Sequence, residues 1–348
     1  MSDREEGPDE SPPQPRLADV ADVAGVSTAT VSRALNQPDT VTQQLRERVM
    51  AAVDSLGYVP HGPARALASR RSYTVGAVVP TIDNAIFARN IQALQARLFE
   101  SGLTLLLASS DYDYEREQRE VQSLVEHGID GLILVGETHE HSVYRMLEKK
   151  RIPYVNTWIY HEDTPHPCVG FDNVQAAYQI GSYLLDIGHR RIAMVAGIRQ
   201  GNDRAAERVQ GVTAAMEERG VRFARGHLVE HEYEIAEGRR AANRLLASLS
   251  PPTAIACGND VLAFGVLFEC RERGVNVPGD MSITGFDDLD LAANIDPPLT
   301  TIRVPAAEMG RRSAEYLLAR LEDSPIPEKT ELQAALVVRG TTAPPRSP

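Results

Sequence analysis

A short segment near the N-terminus concentrates side chains that could contact nucleic acid. It contains Ser27, Thr28, Ala29, Thr30, Ser32 and Arg33. Small hydroxyl side chains can come close to phosphates and base edges, and a guanidinium can donate two hydrogen bonds to a guanine. If these residues lie on one exposed helix, they could recognise a DNA sequence.

The residues around this segment have the spacing of a helix-turn-helix. Ala21 supplies the small residue where two helices touch, Gly25 the tight turn, and Val31 the apolar side chain that packs from the second helix. Ser27 is placed to cap that second helix. An ordinary helical hairpin is the alternative interpretation of the same spacing.

Three short helical patterns follow one another from Leu17 onward. The first ends at Gly25, the second fades by Asn36, and the third runs from an N-cap at Thr42 to a C-terminal glycine at Gly57. These patterns predict a small all-helical unit at the start of the chain.

Beyond a basic segment at 61–71, apolar strand patterns alternate with amphipathic helix patterns. The predicted strands are Thr74–Val79, Thr104–Ala108, Gly131–Val135, Tyr154–Asn156, Cys168–Gly170, Arg191–Val195, Thr253–Cys257 and Ser282–Gly285. The helices lying between them include Ile86–Ser101, Glu115–His127, Val174–Gly188, Ala205–Arg219 and Val261–Arg273. Sustained alternation predicts an α/β fold with parallel sheets covered by helices, and the length is sufficient for two lobes. The segments 124–131 and 185–192 have a similar order of helix, glycine and strand, which suggests that the same architecture occurs twice in the chain.

Composition and charge exclude several classes of protein. The 348 residues carry a net charge of −12, which argues against a generally basic nucleic-acid coat protein or a polybasic membrane binder. The apolar runs have strand length and are too short to span a membrane. The first residues are acidic and proline-rich, unlike a signal peptide, so export is not expected. The three cysteines, Cys168, Cys257 and Cys270, are widely spaced and indicate neither a disulfide framework nor a zinc site.

An enzyme is one alternative, because parallel α/β lobes host many activities. The sequence lacks the glycine-rich dinucleotide, P-loop and nucleophile-elbow motifs. His161 and His166 superficially resemble the H-E-x-x-H zinc motif, but the spacing is one residue too long and Pro165 interrupts the helix such a site needs. His139 and His141 are expected in a solvated polar loop. No catalytic site, metal or cofactor is predicted.

The N-terminal block closely resembles the headpiece of the lactose-repressor (LacI/GalR) family. The resemblance rests on three blocks, LADVADVAGVSTATVSRALN at 17–36, VTQQLRERV at 41–49 and LGYVP at 56–60. It continues through the segment that matches the family's hinge helix, ARALA at 64–68, and through the core to VVRGT at 337–341. The family fold that this implies is a helix-turn-helix headpiece, a hinge helix and a two-lobed core like that of periplasmic sugar-binding proteins.

The resemblance also implies roles for individual headpiece residues. It places Thr28, Ala29 and Arg33 at base edges in the major groove, and Leu67 as the hinge residue that enters the minor groove and kinks the DNA. Residues implied at or beside phosphates, or in the hinge helix, are Ser27, Thr30, Ser32, Asn36, Thr42, Tyr58 and Ala64. A core role is the alternative for Leu67. Arg16 and His61 depart from the family's usual residues, which puts local contacts there in doubt.

Between the two lobes, the resemblance implies a site for a small effector. The residues that match the family's cleft-lining positions are Phe87, Trp158, Arg208, Tyr233, Asn259 and Asp287. Together they offer a carboxylate, an amide, a guanidinium and aromatic faces, with Trp158 expected as an exposed stacking surface, and this set suits a polyhydroxylated ligand. A helix cap at Asp287, a local ion pair at Arg208 and a core position for Trp158 are the alternatives. Thr81 and Ala85 replace the family's usual Asp and Pro, which leaves the ligand's identity open.

The expected protein is a homodimeric, cytoplasmic transcription regulator, most simply a repressor, that binds a near-palindromic operator and responds to a carbohydrate-like effector. A sugar-binding or sugar-converting protein without a DNA role is the alternative. The expected divisions are an acidic disordered tail at 1–15, the headpiece at 16–60, the hinge at 61–72, the core at 73–343 and a tail at 344–348. Within the core, we expect an N-lobe at 73–171 and 303–332 and a C-lobe at 172–302 and 333–343. Residues 60–71 contain three arginines and no acid, so the whole-chain charge conceals a basic segment.

Overall fold

The structure is a computed structural model that describes residues 15–36, 38–59, 71–83 and 85–346, without the side chains of Asn36 and Pro38. The chain divides into two compact units, one up to Ser72 and one from Tyr73 onward. Each unit has its own buried hydrophobic core.

The described part of the first unit contains three helices, as predicted. Their bounds are α1 Leu17–Ala24, α2 Thr28–Asn36 and α3 Gln43–Leu56, with a 3₁₀ turn at Pro38–Thr40 between the last two. Val20, Val31 and Val49 are fully buried where the helices meet. Each is an apolar residue on the inner face of its helix, so burying these side chains holds the three short helices together.

The predicted helix ends of this unit are confirmed. Gly25 ends α1 with φ 63°, and Gly57 ends α3 with φ 60°, a left-handed conformation that glycine adopts without strain. Ser27 Oγ accepts a hydrogen bond from the Thr30 backbone N–H at 3.2 Å, and Thr42 Oγ1 accepts one from Leu45 at 3.4 Å. Both hydroxyls therefore cap the helices that follow them.

The first lobe of the second unit is built on a six-stranded parallel sheet in the order β11-β5-β4-β3-β1-β2. Its strands are β1 Thr74–Val79, β2 Thr104–Ser109, β3 Gly131–Val135, β4 Tyr154–Thr157, β5 Cys168–Gly170 and β11 Lys329–Glu331. Its helices are α4 Ala85–Glu100, α5 Tyr114–Glu126, α6 His141–Lys150 and α12 Ala306–Leu321. The central strands β1 and β3 are almost continuously apolar because helices cover both faces of the sheet.

The second lobe repeats this plan with a four-stranded parallel sheet in the order β7-β6-β8-β9. Its strands are β6 Ile192–Gly197, β7 Leu228–His231, β8 Ala254–Cys257 and β9 Ser282–Thr284. Its helices are α7 Asn173–Asp186, α8 Asp203–Glu218, α9 Ile235–Leu246, α10 Asp260–Glu272 and α11 Asp290–Asn294. The antiparallel pair of β10 Thr301–Arg303 and β12 Ala335–Val337 adjoins this sheet through bridges at Thr284 and Asp287.

The chain passes between the lobes three times, after β5, after β10 and after β11. Three connections allow one lobe to move relative to the other while each sheet stays intact. Every strand and helix that the sequence analysis bounded in this unit is present, with ends within two residues of the prediction. The α/β fold class is confirmed.

One local prediction is wrong. His139 is not solvated: its side chain is only 1% exposed, with Nδ1 2.7 Å from Glu117 Oε1 and Nε2 3.1 Å from the Gly136 carbonyl oxygen. His141 is exposed, as predicted, but it begins helix α6 instead of lying in a loop. The polar neighbours in sequence suggested solvent, but Glu117 comes from a different helix and could not be paired with His139 from local sequence.

Among the described residues, no helix is long and apolar enough to cross a membrane. The three cysteines are buried, and none forms a disulfide.

Candidate functional site

The N-terminal end of α2 presents the residues expected to read DNA. Ser27, Thr28, Ala29 and Arg33 are exposed, while Val31 of the same helix is buried in the headpiece core. Thr30 Oγ1 lies 2.9 Å from Ser27 Oγ, which fixes both hydroxyls beside the helix N-terminus. The exposed backbone N–H groups of this first turn, together with these hydroxyls, could bind phosphate.

The other expected headpiece contacts differ in their placement. Ser32 is half-buried, Thr42 is exposed at the start of α3, and Tyr58 packs partly against the headpiece core. The side chain of Asn36, and the hinge residues Ala64 and Leu67, lie outside the described residues.

Arg48 is a headpiece residue that the sequence analysis missed. Its Nη2 donates to the Ala24 carbonyl oxygen at 2.7 Å and to the Gly25 carbonyl oxygen at 3.3 Å, and its Nε donates to Ala24 at 3.1 Å. Arg48 on α3 thereby satisfies carbonyl groups at the end of α1 and holds the turn before α2. No local pattern links an arginine to a turn 23 residues away, so the sequence contained no signal for this role.

The six expected effector residues come from segments at the carboxyl ends of the strands or from helices beside them. Phe87 lies on α4, Trp158 follows β4, and Arg208 lies on α8. Tyr233, Asn259 and Asp287 follow β7, β8 and β9 in turn. Ligands of open parallel α/β sheets bind at this edge.

Four of these residues line one narrow cavity between the lobes. Phe87 and Trp158 face it from the N-lobe, and Arg208 and Tyr233 face it from the C-lobe. Its wall also contains three polar residues that were not predicted from the sequence, namely Tyr112, Asn202 and Arg204. Its volume of about 10 Å³ holds no more than one water molecule, so a larger ligand needs the lobes to separate.

Trp158 does not offer the exposed face that was expected. It is 1% exposed, and its ring packs edge-on against Phe87 with the ring centres 5.1 Å apart. Its Nε1 is nevertheless buried without a hydrogen-bond partner. A buried indole N–H normally finds an acceptor, so this group remains available to a ligand oxygen.

Arg208 is held from several sides. Its Nε donates to Asn173 Oδ1 at 3.1 Å, and its Nη1 donates to the Gly258 carbonyl oxygen at 2.8 Å. Its guanidinium carbon lies 3.7 Å from the centre of the Phe286 ring, a cation–π contact. Nη2 lies 3.8 Å from Asp287 Oδ1, too far for a hydrogen bond.

Asp287 is a buried carboxyl group whose two oxygens make no hydrogen bond to the described residues. Burial raises its pKa well above the ordinary value, and the charge of Arg208 opposes that shift. Asn259 has an unpartnered Nδ2 in the same lobe, while its Oδ1 caps α10 by accepting from Leu262 at 2.9 Å. The C-lobe side of the site therefore has an unpartnered donor, Asn259 Nδ2, and unpartnered acceptors, the oxygens of Asp287.

Asp260, which the sequence analysis did not single out, supports the segment that carries Asp287. Its Oδ2 accepts from the Leu289 backbone N–H at 2.7 Å, and its own N–H donates to the Phe286 carbonyl oxygen at 2.9 Å. These bonds hold both sides of Asp287.

Five non-glycine residues in this region have positive φ: Asp111 at 55°, Tyr112 at 57°, Trp158 at 68°, Asp287 at 118° and Asp288 at 57°. Such conformations are uncommon and are retained where surrounding structure fixes them, often at binding sites. The backbone thus aims these side chains in directions that ordinary strand ends would not give.

A wider cleft of about 1330 Å³ opens outside the narrow cavity. Its charged lining consists of Arg89 and the six carboxylates of Asp83, Asp111, Asp113, Glu232, Glu234 and Asp290. Arg89 of the N-lobe is paired with Asp290 of the C-lobe. Thr81 and Ala85, the two departures from the family pattern, also line this cleft.

The two histidines of the zinc-like motif do not converge. His166 Nδ1 lies 2.8 Å from Tyr154 Oη and its ring stacks on Tyr144, whereas His161 lies between Glu137 and Glu207. Within the described part of the chain, no cluster of three or more ligating side chains could hold a metal ion.

Both units of the chain match models of known protein families. Residues 16–61 match the model of bacterial regulatory proteins of the lacI family, and residues 182–342 match a periplasmic binding protein-like domain. The transcriptional repressor CytR of Escherichia coli is 32% identical over 94% of this chain and 96% of its own. The transcriptional regulator GntR of Escherichia coli is 34% identical over 91% of this chain and 95% of its own. A crystal structure of the lac repressor dimer, bound to operator and an anti-inducer, superposes with a TM-score of 0.85 at 26% identity, covering 95% of this chain and all of that one.

Proposed function

The chain belongs to the lacI family of bacterial regulatory proteins and is a DNA-binding transcriptional regulator, and from this premise we propose that it represses transcription under the control of a small effector. Its relatives are regulators and not enzymes. As a reader of operator DNA, it would act in the cytoplasm. We retain the divisions inferred from the sequence, with the headpiece at 16–60, the hinge at 61–72 and the core at 73–343.

The recognition step is assigned to α2. The exposed side chains of Thr28, Ala29 and Arg33 would contact base edges, while Ser27 and Thr30 at the helix N-terminus would contact phosphates. The single observation that carries this assignment is the exposure of Thr28, Ala29 and Arg33 on a helix whose opposite face, at Val31, is fully buried. Leu67 would enter the minor groove at the operator centre.

The expected symmetry of the operator and the apolar surface of the N-lobe both favour a homodimer. Strand β2 is an edge strand whose Leu106 and Leu107 are partly exposed, and Phe99 of α4 is largely exposed nearby in sequence. An exposed apolar sheet edge needs a cover, and a second copy of the chain would provide one. Two headpieces would then read the two halves of a near-palindromic operator.

The effector would bind between the lobes on the unpartnered polar atoms. Trp158 Nε1 and Asn259 Nδ2 can donate, and the oxygens of Asp287 can accept. A hydroxyl group both donates and accepts, so a polyhydroxylated ring compound satisfies this mixed set. The aromatic rings of Phe87 and Tyr233 would pack against its apolar faces.

The charge around the site favours an uncharged effector. Arg204 is paired with Asp203 at 2.6 Å, and the guanidinium of Arg208 already donates to Asn173 and to the Gly258 carbonyl oxygen. The outer cleft adds six carboxylates against one arginine. A sugar acid or a phosphorylated ligand would therefore meet repulsion at the mouth of the site.

Effector binding would control DNA binding through the relative position of the lobes. A ligand that fits both lobes favours one arrangement of them, and the N-lobe is the lobe that follows the hinge in sequence. Thermodynamic linkage then requires the effector and the operator to change one another's affinity by the same factor.

The test is a thermal-shift and calorimetric screen of sugars, sugar acids and nucleosides, performed with and without operator DNA. The proposal expects one uncharged hydroxylated compound to bind and to change operator affinity reciprocally. A purified protein that converts a sugar and shows no sequence-specific DNA binding would overturn it in favour of the sugar-converting alternative.

A further inference from the structure

His161 lies between two carboxylates that come from opposite lobes. Its Nδ1 is 3.1 Å from Glu137 Oε2 in the segment after β3, and its Nε2 is 3.0 Å from Glu207 Oε1 on α8. His161 itself follows β4, so the contact to Glu137 stays within the N-lobe, and the contact to Glu207 crosses between the lobes. Separation of the lobes would break the second contact and leave the first.

The surroundings of this trio support a specific arrangement. Thr164 Oγ1 donates a hydrogen bond to Glu137 Oε1, which leaves the other oxygen of Glu137 for His161. Glu207 is largely buried, and its Oε2 has no hydrogen-bond partner. No residue of the effector set takes part, so this contact is separate from the ligand-binding groups.

We infer that His161, Glu137 and Glu207 form an interlobe latch in which proton uptake favours the closed lobes. The biological meaning of the latch rests on the proposed function, because closure matters only if the cleft binds an effector. The latch itself requires neither effector nor DNA.

The direction of the proton effect follows from the environment of each group. Burial lowers the pKa of His161, but the carboxylates of Glu207 and Glu137 outweigh this and raise it overall. Burial raises the pKa of Glu207 to about 7, and His161 opposes that shift. When the lobes open, both groups gain water and their pKa values fall towards the ordinary ones.

Closure of the lobes therefore raises the pKa of both His161 and Glu207. Each binds a proton more tightly with the lobes closed, so closure takes up protons and is favoured as the pH falls. The closed-state advantage is lost as the pH rises through the raised pKa values.

Other charged groups near His161 are mostly acidic. The cavity beside it is lined by carboxylates of Glu162 and Asp163 on its own segment, Asp172 before α7 and Glu331 of β11. On α8, Asp203 and Arg204 also act on Glu207, and they act in opposite directions. The carboxylates around His161 all favour its protonated form, which reinforces the direction given by the trio.

Asp203 provides a second interlobe contact that does not share this dependence. Its Oδ2 accepts from the backbone N–H groups of Glu137 at 2.6 Å and Thr138 at 3.0 Å. Although burial raises its pKa, Arg204 and these N–H groups lower it overall, so Asp203 remains ionised near neutral pH. Asp203 therefore connects the lobes throughout the pH range in which His161 and Glu207 gain or lose protons.

The chain contains a single tryptophan that can report closure. Trp158 is buried in the narrow cavity between the lobes, where Arg208 and Tyr233 of the C-lobe cover it. Opening the lobes would admit acrylamide, an uncharged quencher, to its indole. The fluorescence of Trp158 thus measures opening in the full-length protein without any ligand.

The experiment measures acrylamide quenching of Trp158 as a function of pH in the parent protein, H161Q, E207Q and the double variant. For the parent, we expect the quenching constant to rise by on the order of twofold between about pH 6 and about pH 8, the range around the ordinary histidine pKa. Each single variant should reduce this dependence, and the double variant should abolish it. E207Q should also keep the cleft closed at the upper pH, because its amide stands for the protonated carboxyl.

R89Q is the matched control, since it removes the ion pair with Asp290 and leaves the latch intact. It should raise quenching at every pH and preserve the pH dependence. Circular dichroism at each pH verifies folding, and conservative glutamines limit the loss of packing. A parent protein without pH dependence, or a double variant that retains it, would overturn the latch. Operator binding measured on the same samples separates that failure from a failure of the proposed function.

Discussion

Arg208 and Asp287 face one another at 3.8 Å between Nη2 and Oδ1, with both side chains almost completely buried. Buried opposite charges normally approach until they form a hydrogen bond, because an unpaired buried carboxylate is costly. Here Arg208 instead bonds to Asn173 and to the Gly258 carbonyl group. Asp287 is left with acceptor capacity that a ligand hydroxyl can use.

We therefore predict that Asp287→Asn strongly weakens the effector response. Loss of a charge-assisted hydrogen bond removes about 1.5–3 kcal/mol, which corresponds to about tenfold or more in effector affinity. The measurement is a titration of operator release with the effector identified in the screen. Asp186→Asn is the control, because that carboxylate side chain is 63% exposed and pairs with Arg219 of the same lobe, whereas the Asp287 side chain is 2% exposed. An unchanged response in Asp287→Asn would reject the assignment of the cleft.

A second prediction concerns base recognition by Arg33. Its side chain is exposed on α2, and its only described hydrogen bond is a long one of 3.4 Å from Nε to the Ala29 carbonyl oxygen. Little has to be broken for the guanidinium to reach a guanine. Arg33→Ala should reduce discrimination among operator variants by about 1–3 kcal/mol, measured as a ratio of dissociation constants at one fixed salt concentration.

The control for Arg33 is Arg46→Ala, which removes an exposed cation from the first turns of α3. A phosphate contact there would weaken binding to all operators equally and leave discrimination unchanged. Equal discrimination in Arg33→Ala and the parent protein would exclude α2 as the recognition helix.

A third prediction follows from Arg48, whose guanidinium bonds to the carbonyl groups of Ala24 and Gly25. Arg48→Ala leaves these helix-end carbonyl groups without their partner and should destabilise the headpiece by about 1–2 kcal/mol. Hydrogen exchange of the α1 and α2 amides should accelerate. The thermal shift caused by effector should not change, because the core is a separate unit. Slow, parent-like exchange would show that the turn is held by other contacts.

Much of the fold could be predicted because its signals are local. Strand β3 at Gly131–Val135 is a continuous apolar run preceded by Gly128, whose φ of 77° ends the previous helix. Glycines with positive φ also precede β2, at Gly102, and β6, at Gly188. The bounds of the predicted strands lie within two residues of those observed. Helix caps at Ser27 and Thr42 are likewise local, because each hydroxyl bonds three residues ahead.

The candidate site could be predicted only in part because its partners are distant in sequence. Tyr112 enters the cleft through a left-handed backbone conformation that no apolar pattern marks. His139 is buried by Glu117 on another helix, and Trp158 is buried by Phe87 across the N-lobe. Burial that is created by tertiary packing leaves no trace in the neighbouring residues, so an indole at a strand end was wrongly expected to be exposed.

The last prediction is that the effector site rejects anions. Among pairs of compounds that differ only in a carboxylate or phosphate group, the uncharged member should bind more tightly by on the order of tenfold, because the carboxylates of the outer cleft repel negative charge. Calorimetry at low and at moderate salt measures this difference. Added salt should narrow it, since screening weakens the contribution of the exposed carboxylates.

A double variant distinguishes the contribution of the outer cleft to ligand preference from that of the buried residues. Glu232→Gln with Glu234→Gln removes two carboxylates of the outer cleft and leaves Arg208 and Asp287 in place. It should reduce the preference for the uncharged compound at low salt and have little effect at moderate salt, where screening already weakens these charges. Tighter binding of the charged member to the parent protein would contradict the prediction, and it would leave the control of operator affinity by an effector untouched.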